Sequence, residues 1–289
     1  MKTKTLPTVR YIILFFSALA INGYFSGWFF KPHLYTGKFK GIIVPVLNCY
    51  ACPSAIPSCP IGTIQHFMVI GFVPLFALGI LIIVGALVGR LFCGWVCPFG
   101  FIQELLNKIP TPKWKLPKAF TYLKYFFLVF TVFLIPYLIS DTVFCKICPM
   151  GALEGGIPQM LLKPELHHLA GFLYWSKIVI LAVTIFLAIF IKRFFCRAIC
   201  PIGAFFAIFN KISILQMKVH MPKCSTCDVC KKNCPVDINV YDDPNSPECI
   251  RCGLCTNSCP FGAVKFTTIF SGENKNKKIN VATKLEKQT

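Results

Sequence analysis

Long apolar runs separated by short polar segments, most of them carrying cysteine, set the pattern of this chain. Four runs, at roughly 11–30, 67–89, 119–139 and 171–191, are long enough to cross ~30 Å of hydrocarbon as helices. Pro74 and Pro136 fall inside the second and third runs, and each removes a backbone donor, which predicts a kink. The first run follows Lys2, Lys4 and Arg10 and contains Ala-Leu-Ala at 18–20, features of a leader peptide. Its apolar stretch continues to Phe30, so a retained helix is expected rather than a cleaved one. Lys2, Lys4, Arg10, Arg90, Lys108, Lys113, Lys115, Lys118, Arg193, Arg197 and Lys211 flank the runs on one side; Lys31, Lys38, Lys40, Lys146 and Lys163 lie on the other. By the positive-inside rule this is a multi-pass protein of the inner membrane with both termini cytoplasmic.

The runs belong to a duplication. "GRLFCGWVCPFGFIQELLNKI" at 89–109 and "KRFFCRAICPIGAFFAIFNKI" at 192–212 share Arg, Phe, Cys, Cys, Pro, Gly, Asn, Lys and Ile in one frame. The preceding loops echo one another as well, "CYACP" at 49–53 against "CKICP" at 145–149. Repeats of this kind build a site at the interface between copies. Cys93, Cys97, Cys196 and Cys200 then emerge together on the cytoplasmic face, the four thiolates that a 4Fe–4S cube needs. The opposite face carries Cys49, Cys52, Cys59, Cys145 and Cys148, five candidates for the four positions of another cube. "CPIG" at 59–62 resembles "CPMG" at 148–151, so the repeat leaves open which cysteine is spare. A structural disulfide on an oxidising face is the alternative there.

Beyond about residue 215 the apolar runs stop. "CSTCDVCKKNCP" from Cys224 and "CIRCGLCTNSCP" from Cys249 each read C-x2-C-x2-C-x3-C-P. In that arrangement three cysteines of one run bind one cube and the fourth binds the other. Cys224, Cys227, Cys230 and Cys259 are assigned to one cluster, and Cys249, Cys252, Cys255 and Cys234 to a second. Paired C-x2-C motifs also hold zinc, but a zinc site needs only one such set. The chain is therefore expected to have an all-α membrane domain over 1–215, four transmembrane helices in a two-fold internal repeat (about 11–109 and 119–212). A small α+β bacterial-type ferredoxin domain follows over 216–267, then a disordered cytoplasmic tail over 268–289.

Composition changes this picture little. The chain is 55% hydrophobic, and its 17 cysteines are odd in number and closely spaced, which favours metal thiolates over a disulfide framework. The net charge of +19 sits at helix ends and in the tail, a pattern of membrane topology and anionic headgroups that speaks against nucleic acid.

The two membrane cysteine sets, placed at opposite edges, would lie ~30 Å apart, too far for one electron hop. Either the cysteine loops dip inward or another carrier, a quinone or a haem, bridges them. His66, His167 and His168 are the candidates for holding such a carrier, against the plainer reading of interfacial histidines. No C-x-x-C-H motif is present, so covalent haem is not expected. Asn22, Gln103 and Glu104 are polar groups in the membrane or at its edge; Glu104 is a candidate acceptor of a quinol proton, but its counterpart in the other copy is Ala207, and a solvated carboxylate is expected. Trp28 and Trp175 read as interface anchors.

Across residues 1 to about 265, the paired C-x3-C-P motifs, the four runs and the C-terminal two-cluster module resemble the NapH-type membrane polyferredoxins. The resemblance extends to membrane parts of nitrous oxide reductase accessory proteins and to cytochrome oxidase assembly polyferredoxins. It implies an electron-transfer subunit of an oxidoreductase working with other redox subunits, with menaquinone or ubiquinone as a candidate donor. The alternatives are an assembly protein that reduces a metal centre or disulfide in a partner, and a membrane anchor for a redox complex. No triad, phosphate loop or substrate motif points to bond-making chemistry.

Overall fold

The computed structural model describes residues 5–24 and 34–270; Trp28 and the lysine-rich end of the chain lie outside them. Helix α1 (Thr5–Ile21) opens the chain. The second apolar run is not one helix. It divides into α2 (Pro60–Val69) and α3 (Leu75–Val88), because Gly71 takes a left-handed φ of 77° and Pro74 supplies no donor to a continued helix. The third run, α6 (Lys118–Ile139), passes through Pro136 unbroken. A π-helical stretch, Phe127–Leu134, precedes that proline, and its wider winding accommodates the missing N–H. The fourth run is α9 (Phe172–Phe190). Among the described residues only α6 and α9 are long and apolar enough to cross a membrane; the apolar helices Leu6–Ile21 and Leu75–Val88 are shorter.

Between these lie short helices with one common beginning. Cys59, Cys97, Cys148 and Cys200 each precede a proline, with ψ of 128°, 116°, 121° and 116°. The carbonyl of each accepts the first helical bond, from Thr63, Phe101, Ala152 and Ala204 respectively. Proline suits the first helical position, where an N–H has no partner to lose. The helices so begun are α2, α5 (Pro98–Leu106), a helical stretch containing Gly151–Gly156 and α8 (Ile157–Leu162), and α11 (Pro201–Phe209). Helix α5 packs on α1 and α9, and α11 packs on α6 and α3. Helices α5 and α11 therefore each wedge between the first long helix of their own copy and the second of the other. Three further short helices, α4 (Leu91–Trp95), α7 (Val143–Ile147) and α10 (Phe194–Ala198), carry Cys93, Cys145 and Cys196.

The cysteine-rich end folds between two antiparallel strands, β1 (Leu215–Val219) and β2 (Val264–Thr268), with Leu215 opposite Thr268. Helices α12 (Val229–Lys232) and α13 (Leu254–Ser258) lie between them in sequence. This part keeps a small core of its own, Met217, Val219, Val240, Cys249, Cys255 and Val264, and shares a second with the helices. Cys234, Val236, Ile250 and Cys252 join the same apolar cluster as Cys93, Cys97 and Phe99.

The join is polar as well as apolar. Asn210 accepts from the Arg90 amide at 3.1 Å and donates to the carbonyls of Cys249, at 2.7 Å, and Ser246, at 2.9 Å. Arg251 donates to the carbonyl of Asn210, and Trp95 to that of Arg251. Gly94 shows how tight the fit is. A Cβ built there would stand 2.4 Å from the Ile250 carbonyl oxygen and 3.6 Å from the Cα of Cys252, both backbone atoms. Gly94→Ala should therefore destabilise the detergent-solubilised protein by about 1–3 kcal/mol, the range for overpacking. Gly41→Ala, where a Cβ meets nothing within 4 Å, should leave thermal unfolding unchanged.

Candidate metal centres

The thiols gather in four sets of four. Cys93, Cys97, Cys196 and Cys200 are all buried and lie within electrostatic reach of one another. Burial, then the negative charge of Cys196 and Cys93, pushes the Cys97 thiol up to about 12. Cys49, Cys59, Cys145 and Cys148 line one cavity of about 260 Å³. There burial raises Cys148 to about 12, and the charge of Cys59 adds to it. Cys224, Cys227, Cys230 and Cys259 line a smaller hollow. Cys255 faces Cys252, Cys249 and Cys234, and burial raises Cys234 to about 11 and Cys249 to about 12.

Cys52 stands apart, buried with its Sγ 3.3 Å from Ser54 Oγ. This corrects the likeness drawn between 49–53 and 145–149. Cys52-Pro53 is followed by Ser54 and Ala55 and opens no helix, whereas Cys59 and Cys148 have glycine at the fourth position and do. The amides of Gly62, Gly100, Gly151 and Gly203 face the sulfurs of Cys59, Cys97, Cys148 and Cys200, the last at 3.4 Å. Gly155 leaves room for Cys49 from the other copy, since a Cβ there would lie 3.2 Å from its sulfur.

These sets suit iron–sulfur cubes. Crowded, buried thiols ionise only where a cationic centre shares their pocket, which is why their pKa values rise without one. Among the described residues no three His, Cys, Asp or Glu side chains form a group able to hold a single metal ion. Zinc, at about 2.3 Å from each sulfur, draws its ligands closer together than a cube with one thiolate per corner.

The two sets that hold Cys97 and Cys59 are neighbours, which agrees with the first of the two alternatives raised from the sequence, that the cysteine loops dip inward. The loop before Cys49 runs inward: Val46, Leu47 and Asn48 are buried. The amide of Leu47 faces the Cys97 sulfur, and that of Asn48 faces the Cys59 sulfur. Consecutive amides touching ligands of the two sets place those sulfurs within roughly 12 Å. On the other side, Gly94 joins Cys93 to Cys252, and Cys255 lies within reach of Cys230.

Sequence reasoning noted the repeated arginine but gave it no role. Arg193 donates to the carbonyl of Cys93 at 2.6 Å, and Arg90 donates to that of Cys196 at 3.1 Å. Each crosses to the other copy and lies against its glycine: a Cβ on Gly100 or Gly203 would stand 3.0 Å from the facing guanidinium. Arg90 also pairs with Glu248, which Lys124 meets too.

Glu104 is buried rather than solvated, bridging Arg10 and Arg193 at 2.7 Å to each. Burial opposes its ionisation, but Arg193 and Arg10 outweigh that and hold the carboxyl below its ordinary value. Gln103 donates to the Cys196 sulfur at 3.1 Å. Beside the other set, Glu154 accepts from the Cys49 amide at 2.9 Å and from Asn22 at 3.1 Å, and burial raises it to about 7. His66, His167 and His168 are exposed and line neither cysteine hollow; His167 bonds the Met160 carbonyl. Trp175 is exposed.

The arrangement defines a class, the multi-cluster proteins of ferredoxin type. A 4Fe-4S binding domain family matches residues 70–117, 125–160 and 174–222, and a second 4Fe-4S binding domain matches 245–265. The chain is 31% identical over 196 residues to Uncharacterized protein MJ0750 of Methanocaldococcus jannaschii, covering 63% of this chain and 74% of that one, and it belongs to the same family. It is 25% identical over 177 residues to the Putative electron transport protein YccM of Escherichia coli (55% of this chain, 45% of that one). It is 26% identical over 150 residues to the Regulatory protein NosR of Stutzerimonas stutzeri (50% and 20%). No solved structure matches the chain. It is thus an iron–sulfur electron-transfer protein that binds several 4Fe–4S clusters.

Cys52→Ser should leave iron content unchanged. Serine at Cys49, Cys59, Cys145 or Cys148 should each remove about four iron atoms per chain, measured by iron assay on purified protein.

Proposed function

We propose that the chain is a NapH-like membrane electron relay, with its four cysteine sets forming one row from a cytoplasmic ferredoxin end to the far side of the bilayer. The observation that carries this reading is the Leu47–Asn48 pair, one residue against each membrane set. A 4Fe–4S cube supplies a one-electron couple when bound. The chain's own residues do the rest. Cys93, Cys97, Cys196 and Cys200 hold one centre from both copies, and Cys49, Cys59, Cys145 and Cys148 hold the next. The buried core around Val46, Leu47, Phe99 and Phe195 keeps water out between them.

In this reading α1 and α3 complete four spans with α6 and α9, and the short cysteine-capped helices carry ligands inside the lipid layer. The open cavity at Cys49, Cys145 and Lys146 is the exit to a partner redox protein. A quinol remains a candidate donor, and the exposed histidines give it no preformed pocket.

The test uses full-length protein in liposomes holding ferricyanide, with dithionite outside. The purified protein should contain ~16 iron atoms. Trapped ferricyanide should be reduced only in its presence, and Cys97→Ser should slow that at least tenfold. Equal rates with and without Cys97, or only half of the iron, would reduce the relay to its ferredoxin end.

A further inference from the structure

The two membrane sets sit in unlike electrostatic surroundings. Around Cys93, Cys97, Cys196 and Cys200 four cations, Arg10, Arg90, Arg193 and Lys124, are almost wholly buried. They face two carboxylates, Glu104 and Glu248, which leaves two positive charges in surplus. Arg197, which lies 4.0 Å from Asp237, does not reduce that surplus. Arg90 and Arg193 are the nearest, each bonded to a carbonyl of a ligand cysteine. Buried Arg90 Nε has no hydrogen-bond partner among the described residues.

Around Cys49, Cys59, Cys145 and Cys148 no charged side chain among the described residues is buried to that degree. Glu154, partly exposed, accepts from the Cys49 amide and from Asn22. Lys40, Lys146 and Lys177 are near but half-buried; Lys40 bonds the Ala55 carbonyl and Lys146 pairs with Asp141. Water screens such open charges far more than it screens a buried guanidinium.

Adding an electron makes a cube more negative, so buried cations raise its potential and a buried carboxylate lowers it. We infer that the buried Arg90 and Arg193 make the inner centre the high-potential member of the membrane pair. An electron therefore passes downhill from the Cys49–Cys148 side to the Cys93–Cys200 side, and outward transfer has to be driven by a strong donor. This inference rests on the relay reading above, but iron content tests that reading and the order of potentials tests this one.

The experiment is a potentiometric titration of the purified full-length protein, followed by electron paramagnetic resonance. Signals are assigned by their loss in Cys145→Ser and in Cys97→Ser. In the unaltered protein the signal lost in Cys97→Ser should titrate at the higher potential. A tenfold change in a reduction equilibrium is about 59 mV for one electron. Arg90→Gln or Arg193→Gln should lower the inner signal by at least as much, and Arg90→Lys or Arg193→Lys should restore most of it. Should the arginine variants fail to fold, the order in the unaltered protein still decides. An outer signal at or above the inner one, or no shift in folded Arg90→Gln and Arg193→Gln, overturns the inference.

Discussion

Four thiols in one apolar pocket cannot all ionise unless a positive centre shares the space, and the helical half of this protein is organised around that restriction. Burial, with the charge of neighbouring thiols added to it, holds Cys97 and Cys148 above the ordinary thiol range. What the backbone can offer instead is oriented N–H groups. Each C-P-x-G cysteine sits at a helix start, where free amides and the positive end of the helix dipole favour an anion. The glycine amide then faces the sulfur, and proline gives up the one amide with no use there. The four short helices are better understood as ligand holders than as spans.

Duplication solves the supply of ligands, since neither copy alone brings a complete set. It also fixes how the copies meet. Arg90 and Arg193 exchange places, each satisfying a carbonyl of the other copy and filling the hollow its glycine leaves. A buried guanidinium without those acceptors would carry a cost of several kcal/mol, so the exchange ties site geometry to chain pairing. Where the ferredoxin end docks, the symmetry is broken residue by residue. Gly94 stands opposite Arg197 in the repeat and admits the Ile250 carbonyl; Glu104 stands opposite Ala207 and binds Arg10.

Much of the site was legible because ligand chemistry demands fixed spacing. The C-x3-C-P pair and the two ferredoxin runs could be grouped by counting, and the structure brings the same cysteines together. Counting failed at Cys52, where the C-x-x-C-P spacing is present without the glycine that lets an amide meet the sulfur. It failed again at Glu104. A carboxylate alone on its helix reads as solvated, and its partners, Arg10 and Arg193, are 94 and 89 residues away. Hydropathy likewise reads through Gly71 and Pro74 as one span, because it measures transfer of side chains and not the continuity of backbone bonding.

Depth and charge are the same problem seen twice. Bringing the Cys59 and Cys97 sulfurs within tunnelling range means placing both sets far from water, and removing water leaves every nearby charge unscreened. Those charges then act strongly on whatever the thiols hold, so residues that keep the copies together also set the energy of the electron. That is why Lys124, on a long apolar helix, is tolerated without exposure: Glu248 meets it and Arg90 there, at the seam of membrane and ferredoxin parts. The shared core around Cys234 and Cys252 follows from the same logic. A ferredoxin end free to swing would leave that seam open to solvent, and the buried charges beside Cys93 would lose the low-dielectric surroundings that give them their effect.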